Sequence, residues 1–125
     1  MVNLRESVLN AKDVPEQLVD VPEWGGTFLV RGMTVKDRAS YYSRITVNDK
    51  IDATLLNPEL LIACVYDPET GRKVFEASDR DMLGSKSAQA AEKLTSVAME
   101  LSGIGAQAEQ QAVQDLGETQ TGGSV

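Results

Sequence analysis

The chain has 125 residues, 42% of them hydrophobic, with 12 basic and 19 acidic side chains, one cysteine and no histidine. That length holds one domain with a modest core, the lone Cys64 excludes an intramolecular disulfide, and without histidine the common zinc and iron sites are hard to build. The net charge of -7 is uneven, with seven basic and seven acidic groups in residues 1–50 but five and twelve in residues 51–125. Such a surface repels phosphate backbones, so nucleic acid is not an expected partner and a basic protein is easier to accommodate; the same acidity also serves plain solubility. No apolar run approaches the ~20 residues of a membrane span, so no membrane is expected as a partner. Met1 to Glu6 has no signal-peptide core, and a chain that stays in the reducing cytoplasm where it is made is the expectation.

Asn3, with Glu6 three residues on, caps a short helix over about 4–11, whose Leu4, Val8 and Leu9 share a face, and Pro15 ends it by restricting Val14. The stretch 16–32 contains the only tryptophan. Residues 16–21 and 27–31 read as two strands, and Pro22 and Gly25-Gly26 between them supply a reversing loop. A two-stranded ribbon is marginal alone in water, so it has to lay its apolar face on the helices that follow.

Thr34 and Asp37 form a capping box for a helix over about 35–45, with Val35, Ala39, Tyr42 and Thr46 recurring on one side. Residues 45–56 read as an extended or irregular connector. Asn57-Pro58-Glu59 then has the form of a helix start, asparagine as cap and proline at the first helical position. Leu60 to Tyr66 is apolar on every side, a pattern of a buried helix or a central strand, and the cap decides for helix. Asp67 to Gly71 is a turn that returns the chain as Lys73-Val74-Phe75. Ser78 to Asp81 reads as a second capping box stopped by Gly84, and Ser85 or Ser87 caps the last helix. That helix carries Ala88, Ala91, Leu94, Ala98 and Leu101 in one stripe and closes at Gly103, followed by apolar Ile104.

The expected fold is α+β and mostly α: an N-terminal helix and a β-hairpin packed on a small bundle of about three to four helices over residues 1–104. Residues 105–125, rich in glutamine and acidic groups and free of lysine and arginine, read as a disordered acidic C-terminal tail with nascent helix at 106–116.

No catalytic constellation stands out. Asp79 and Asp81 suit a helix start, Cys64 between Ala63 and Val65 reads as a buried inert thiol, and Gly84-Ser85-Lys86-Ser87 mimics a phosphate loop whose first glycine is missing. No catalytic, cofactor-binding or metal-ligating residue is therefore expected. Trp24 fits two roles, an anchor for a partner or the plug that seats the ribbon on the helices. Tyr41 and Tyr42, adjacent on a helix, cannot both face the core, so one is expected to be exposed.

In order and spacing, several of these features together resemble the tail assembly chaperones of long-tailed (siphovirus-type) bacteriophages, especially those of actinobacterial hosts. The resemblance covers residues 3–104. It rests on the short N-terminal helix, Val21-Pro22-Glu23-Trp24-Gly25, Val30-Arg31-Gly32-Met33-Thr34 leading into a helix, Leu61 to Asp67 with its Gly71 turn and Phe75, Leu83 to Ala88, and Leu101-Ser102-Gly103. Thr54 to Pro58 departs from it, since other members often have a more basic and more clearly helical approach there.

The resemblance implies a non-enzymatic protein of the infected host's cytoplasm, absent from the mature virion, that binds and solubilises the tape-measure protein and promotes recruitment of the major tail protein. It also implies a longer form of the chain made by ribosomal frameshifting as a possible further partner, and no cofactor. The alternative reading is a structural tail-completion or head-tail connector protein. Candidate protein contacts are Trp24, Phe28, Tyr41, Leu94 and Leu101, around an apolar groove expected between the ribbon and the last helix.

Overall fold

A computed structural model describes residues 3–104 of the protein. The first helix, α1 (Leu4–Leu9), is capped by the Asn3 side chain, which accepts from the amides of Arg5 at 2.9 Å and Glu6 at 3.4 Å. It ends short of residue 11 and buries none of its residues.

The ribbon follows as β1 (Glu16–Val21) and β2 (Gly26–Arg31), antiparallel with Val19 opposite Phe28 and Val21 opposite Gly26. Between them Pro22–Trp24 make one 3-10 turn, closed by Gly25 at φ 83°, a left-handed conformation suited to glycine. The period of two sends Val19, Val21, Phe28 and Val30 into the core and leaves Leu18 exposed on the other face.

Helix α2 (Val35–Ile45) starts on the expected box, with the Asp37 amide donating to Thr34 Oγ1 at 3.0 Å. Its inward residues are Tyr41 and Ile45, whereas Val35 is 91% exposed and Tyr42 39%. The expected stripe through Val35, Ala39 and Tyr42 is thus the outer face. Ile45 and the ring of Tyr41 present more apolar area than alanine and threonine do, and they set the rotation of the helix.

Residues 46–51, expected to be part of an extended or irregular connector, form a tight hairpin of β3 (Thr46–Val47) and β4 (Lys50–Ile51). Asn48 and Asp49 turn it with φ of 52° and 65°, the chemistry of a two-residue I′ loop. Directly after it Asp52, not Asn57, caps α3 (Ala53–Cys64), accepting from the Thr54 amide at 3.0 Å. Pro58 therefore lies inside the helix, where it forgoes one ladder bond while Leu56, Leu60 and Leu61 beside it are buried.

The apolar run 60–66 divides between its two possible structures. It is helix to Cys64 and then β5 (Val65–Tyr66), which adds a third strand to the ribbon with Val65 opposite Val30 and Tyr66 opposite Leu29. The turn after it is held by Asp67, whose Oδ1 accepts from the Glu69 amide at 2.8 Å, and by Gly71 at φ 72°. The chain returns with Lys73 opposite Tyr66 and the Val74 amide donating to the Val65 carbonyl at 3.1 Å.

A 3-10 turn, Ala77–Asp79, leads into the short α4 (Arg80–Leu83). Its cap sits earlier than the expected Ser78–Asp81 box, because Asp79 Oδ2 accepts from the Glu76 amide at 2.7 Å. Helix α5 (Ala88–Leu101) is capped by Ser87, whose Oγ accepts from the Ala90 amide at 3.2 Å. Its buried stripe is Ala90, Ala91, Leu94, Thr95, Ala98 and Met99, with Ala88 outside it. It ends in a Schellman closure: Gly103 at φ 73° donates to Glu100, and Ile104 donates to Met99 at 2.9 Å while burying its side chain.

Helix α3 packs between α2 and α5, and the ribbon lies across α5. Val21, Val30, Tyr41, Ile45, Leu60, Leu61 and Leu94 are fully enclosed where these layers meet. The architecture is the expected α+β fold, mostly helical, with a β-ribbon on a helix bundle. The expected tail, with its disorder and nascent helix, lies outside the described residues.

Candidate functional site

Burial pushes the Cys64 thiol up to about 11, which keeps it protonated and non-nucleophilic at neutral pH. Asp79 Oδ2 accepts from the Glu76 amide, Ser87 caps α5, and the Ser85 hydroxyl donates to the Met82 carbonyl at 2.6 Å, so each of these three groups has a local structural role. Among the described residues no group of three or more cysteine, aspartate or glutamate side chains is arranged to hold a metal ion.

An open aromatic surface forms at the turn end of the ribbon. The 3-10 turn places Trp24 beside Phe28, and the return from β5 brings Phe75 up on its other side. Ring centroids are 6.4 Å apart for Trp24 and Phe28 and 6.5 Å for Trp24 and Phe75, both pairs edge-to-face at 85°. All three rings are half-buried against the core. Their outer parts, with Val74, Leu83 and Lys86, line an open hollow of about 350 Å³. A second hollow of about 410 Å³ is also lined by Trp24, Phe28 and Val74, together with Gly25, Gly26, Asp67 and Glu69.

The turn is tied to α5 from the opposite side. Lys93 Nζ lies 2.8 Å from both carboxylate oxygens of Glu23, and this hydrogen-bonded pairing holds the Glu23 carboxyl below the usual range. The pair is solvent-exposed and adds little stability, but it fixes the turn that carries Trp24.

Of the contact residues read from the sequence, Trp24 and Phe28 come together at this groove. Tyr41 and Leu94 do not reach the surface: both are 0% exposed, and the Tyr41 hydroxyl donates to the Leu56 carbonyl at 3.1 Å. They are core residues, because α2 turns Tyr41 inward and α5 turns Leu94 under the ribbon. Leu101 is half-buried at the far end of α5. Where the ribbon and the last helix meet, Val21, Val30 and Leu94 are fully buried, and the open hollow there is lined by the polar residues Glu23, Gln89, Glu92, Lys93 and Ser96 rather than being the expected apolar groove. Val74, Phe75, Leu83 and Lys86 stood in the sequence as parts of a returning segment, a family pattern and a loop, not as contact residues; the signal that could have joined them to Trp24 was that the Asp67–Gly71 turn must return Phe75 toward whatever strand precedes it.

A sequence model of the family described as phage tail assembly chaperone matches residues 3–115. No curated protein sequence matches the chain. Among solved structures, the tail assembly chaperone of bacteriophage HK97 has a similar fold, with a TM-score of 0.56 at 17% sequence identity, covering 81% of this chain and 95% of that one. The family match spans most of the sequence and the fold agrees with it, so the chain belongs to the phage tail assembly chaperone family.

Proposed function

We propose that the protein acts by binding rather than catalysis, keeping the tape-measure protein of its phage soluble and promoting recruitment of the major tail protein around it. The observation that carries this reading is the family match over residues 3–115. The groove around Trp24 supports it physically, since half-exposed aromatic rings beside an apolar hollow are the kind of surface that anchors a partner chain. Trp24 and Phe28 are the proposed contacts, with Leu101 a separate candidate at the other end of α5. The work would be done in the cytoplasm of the infected bacterium, and the affinity to phages of actinobacterial hosts, together with a longer frameshifted product as an additional partner, belongs to the same proposal.

The experiment is to express the tape-measure protein with and without this chain and measure its soluble fraction, and then to look for this chain in purified virions. A chaperone raises the soluble fraction and is absent from particles. A stoichiometric presence in particles without any effect on solubility would instead identify a tail-completion or head-tail connector protein.

A further inference from the structure

The two hollows beside Trp24 share a wall but differ in chemistry. The one facing Leu83 is apolar, with Lys86 at its rim. The other is lined by Trp24, Phe28 and Val74 together with the acidic residues Asp67 and Glu69. Neither carboxylate belongs to an ion pair among the described residues, where the bridges are Arg31–Glu16, Arg44–Glu59, Arg80–Glu59 and Lys93–Glu23. Asp67 is held in place because its Oδ1 accepts from the amides of Glu69 at 2.8 Å and Thr70 at 3.4 Å. The space beside its two glycines is open: a methyl group added at Gly25 or Gly26 would meet nothing within 4 Å.

A long cationic side chain satisfies every part of this second hollow. Its methylene stem would cover aromatic and valine surface, and its head would reach fixed negative charge. The chain itself uses this combination elsewhere, with the Arg31 guanidinium 4.6 Å from the centre of the Tyr66 ring. The apolar hollow, one ring's width away, suits a bulky aliphatic or aromatic residue.

We propose that the groove around Trp24 recognises a paired feature on the tape-measure protein, a lysine or arginine standing beside a large apolar residue on one face, with the cation at Asp67 and Glu69 and the apolar group between Phe75 and Leu83. This rests on the reading of the groove as the chaperone's contact surface and adds the chemistry of what it holds. An acidic partner segment is repelled at the same place, so the pairing selects as well as binds.

The test uses the full chain co-expressed with the tape-measure protein of the same phage, reading soluble tape-measure protein. Glu69 is exposed and outside the core, so Glu69→Lys leaves folding intact, which circular dichroism confirms. Expected is a loss of about tenfold for Glu69→Lys and a smaller one for Glu69→Gln. A photo-crosslinker placed at position 69 should capture a segment with lysine or arginine within about four residues of a large apolar residue. If Trp24→Ala lowers solubility but Glu69→Lys does not, the groove is a contact surface and the cationic pairing is wrong. If neither variant has an effect, or the captured segment is acidic, the proposal falls; if the unaltered chain itself does not solubilise the tape-measure protein, the functional reading falls with it.

Discussion

Arg44 Nε lies 2.9 Å from Oε1 of Glu59, a carboxylate whose side chain is only 3% exposed. Arg80 takes its other oxygen at 3.3 Å, so one buried charge on α3 joins α2 and α4. Taking a carboxylate out of water is costly unless its hydrogen bonds are met, and here two half-exposed guanidiniums meet them. Glu59→Ala should lower stability by about 2–4 kcal/mol and loosen α4, whereas Arg80→Ala should cost about 1 kcal/mol, because Arg44 remains. Urea denaturation of the three proteins checks the order.

Gly32 crosses under the end of α5 so closely that a methyl group there would sit 2.5 Å from the Leu101 carbonyl oxygen and 3.3 Å from Pro15 Cδ. Backbone cannot yield as a flexible side chain does, so Gly32→Ala should cost about 1–3 kcal/mol. Gly25→Ala meets no atoms but must keep φ near 83°, and should cost about 1 kcal/mol. Thermal melts of the two variants check both costs; a Gly32→Ala variant as stable as the unaltered protein would contradict this geometry.

Tyr41 and Tyr42 should behave oppositely although adjacent. Tyr41→Phe removes the donor to the buried Leu56 carbonyl and should cost about 1–2 kcal/mol, while Tyr42→Phe should fall within ~0.5 kcal/mol of the unaltered protein. Denaturant midpoints decide between them.

Alkaline pH should weaken the fold through groups whose burial disfavours ionisation. Cys64 rises from 9.0 to about 11, and burial likewise raises Tyr41. A raised folded-state pKa means that the unfolded chain loses its proton first. The stability linked to Cys64 is therefore complete below about pH 9, declines above it, and is gone once the pH has passed the folded value of about 11. That linked to Tyr41 begins to decline only above its ordinary value of 10.0 and is still declining at that point. Denaturation midpoints at pH 8, 9.5 and 10.5 should fall steadily, with a shallower slope in Cys64→Ala. The native thiol should resist aromatic disulfide reagents at pH 8 and react once the protein is unfolded.

Legibility in the sequence followed how local the determinants are. Asn3, Thr34, Ser87 and the Gly103-Ile104 pair cap where they were read, because each acts on amides within a few residues. The ribbon was legible for the same reason. Failures came where distant packing chose between local options. Asn57-Pro58 has the chemistry of a helix start, but Asp52 follows the Asn48-Asp49 hairpin directly and begins α3 first. Val65 and Tyr66 become strand because β2 offers them an open edge, which no helical cap near position 57 could reveal. The groove was half legible: Trp24 and Phe28 are neighbours in sequence, whereas Phe75 and Leu83 reach them only through β5 and α4.

Trp24 is the only indole in the chain, and it stands between two phenyl rings at the mouth of the groove. Its fluorescence is therefore a built-in optical reporter of that one place. Unfolding, which carries the indole into water, should move its emission to the red, and a partner that covers the hollow should move it to the blue. The opposite signs let a single unlabelled titration tell occupancy of the groove from loss of the fold.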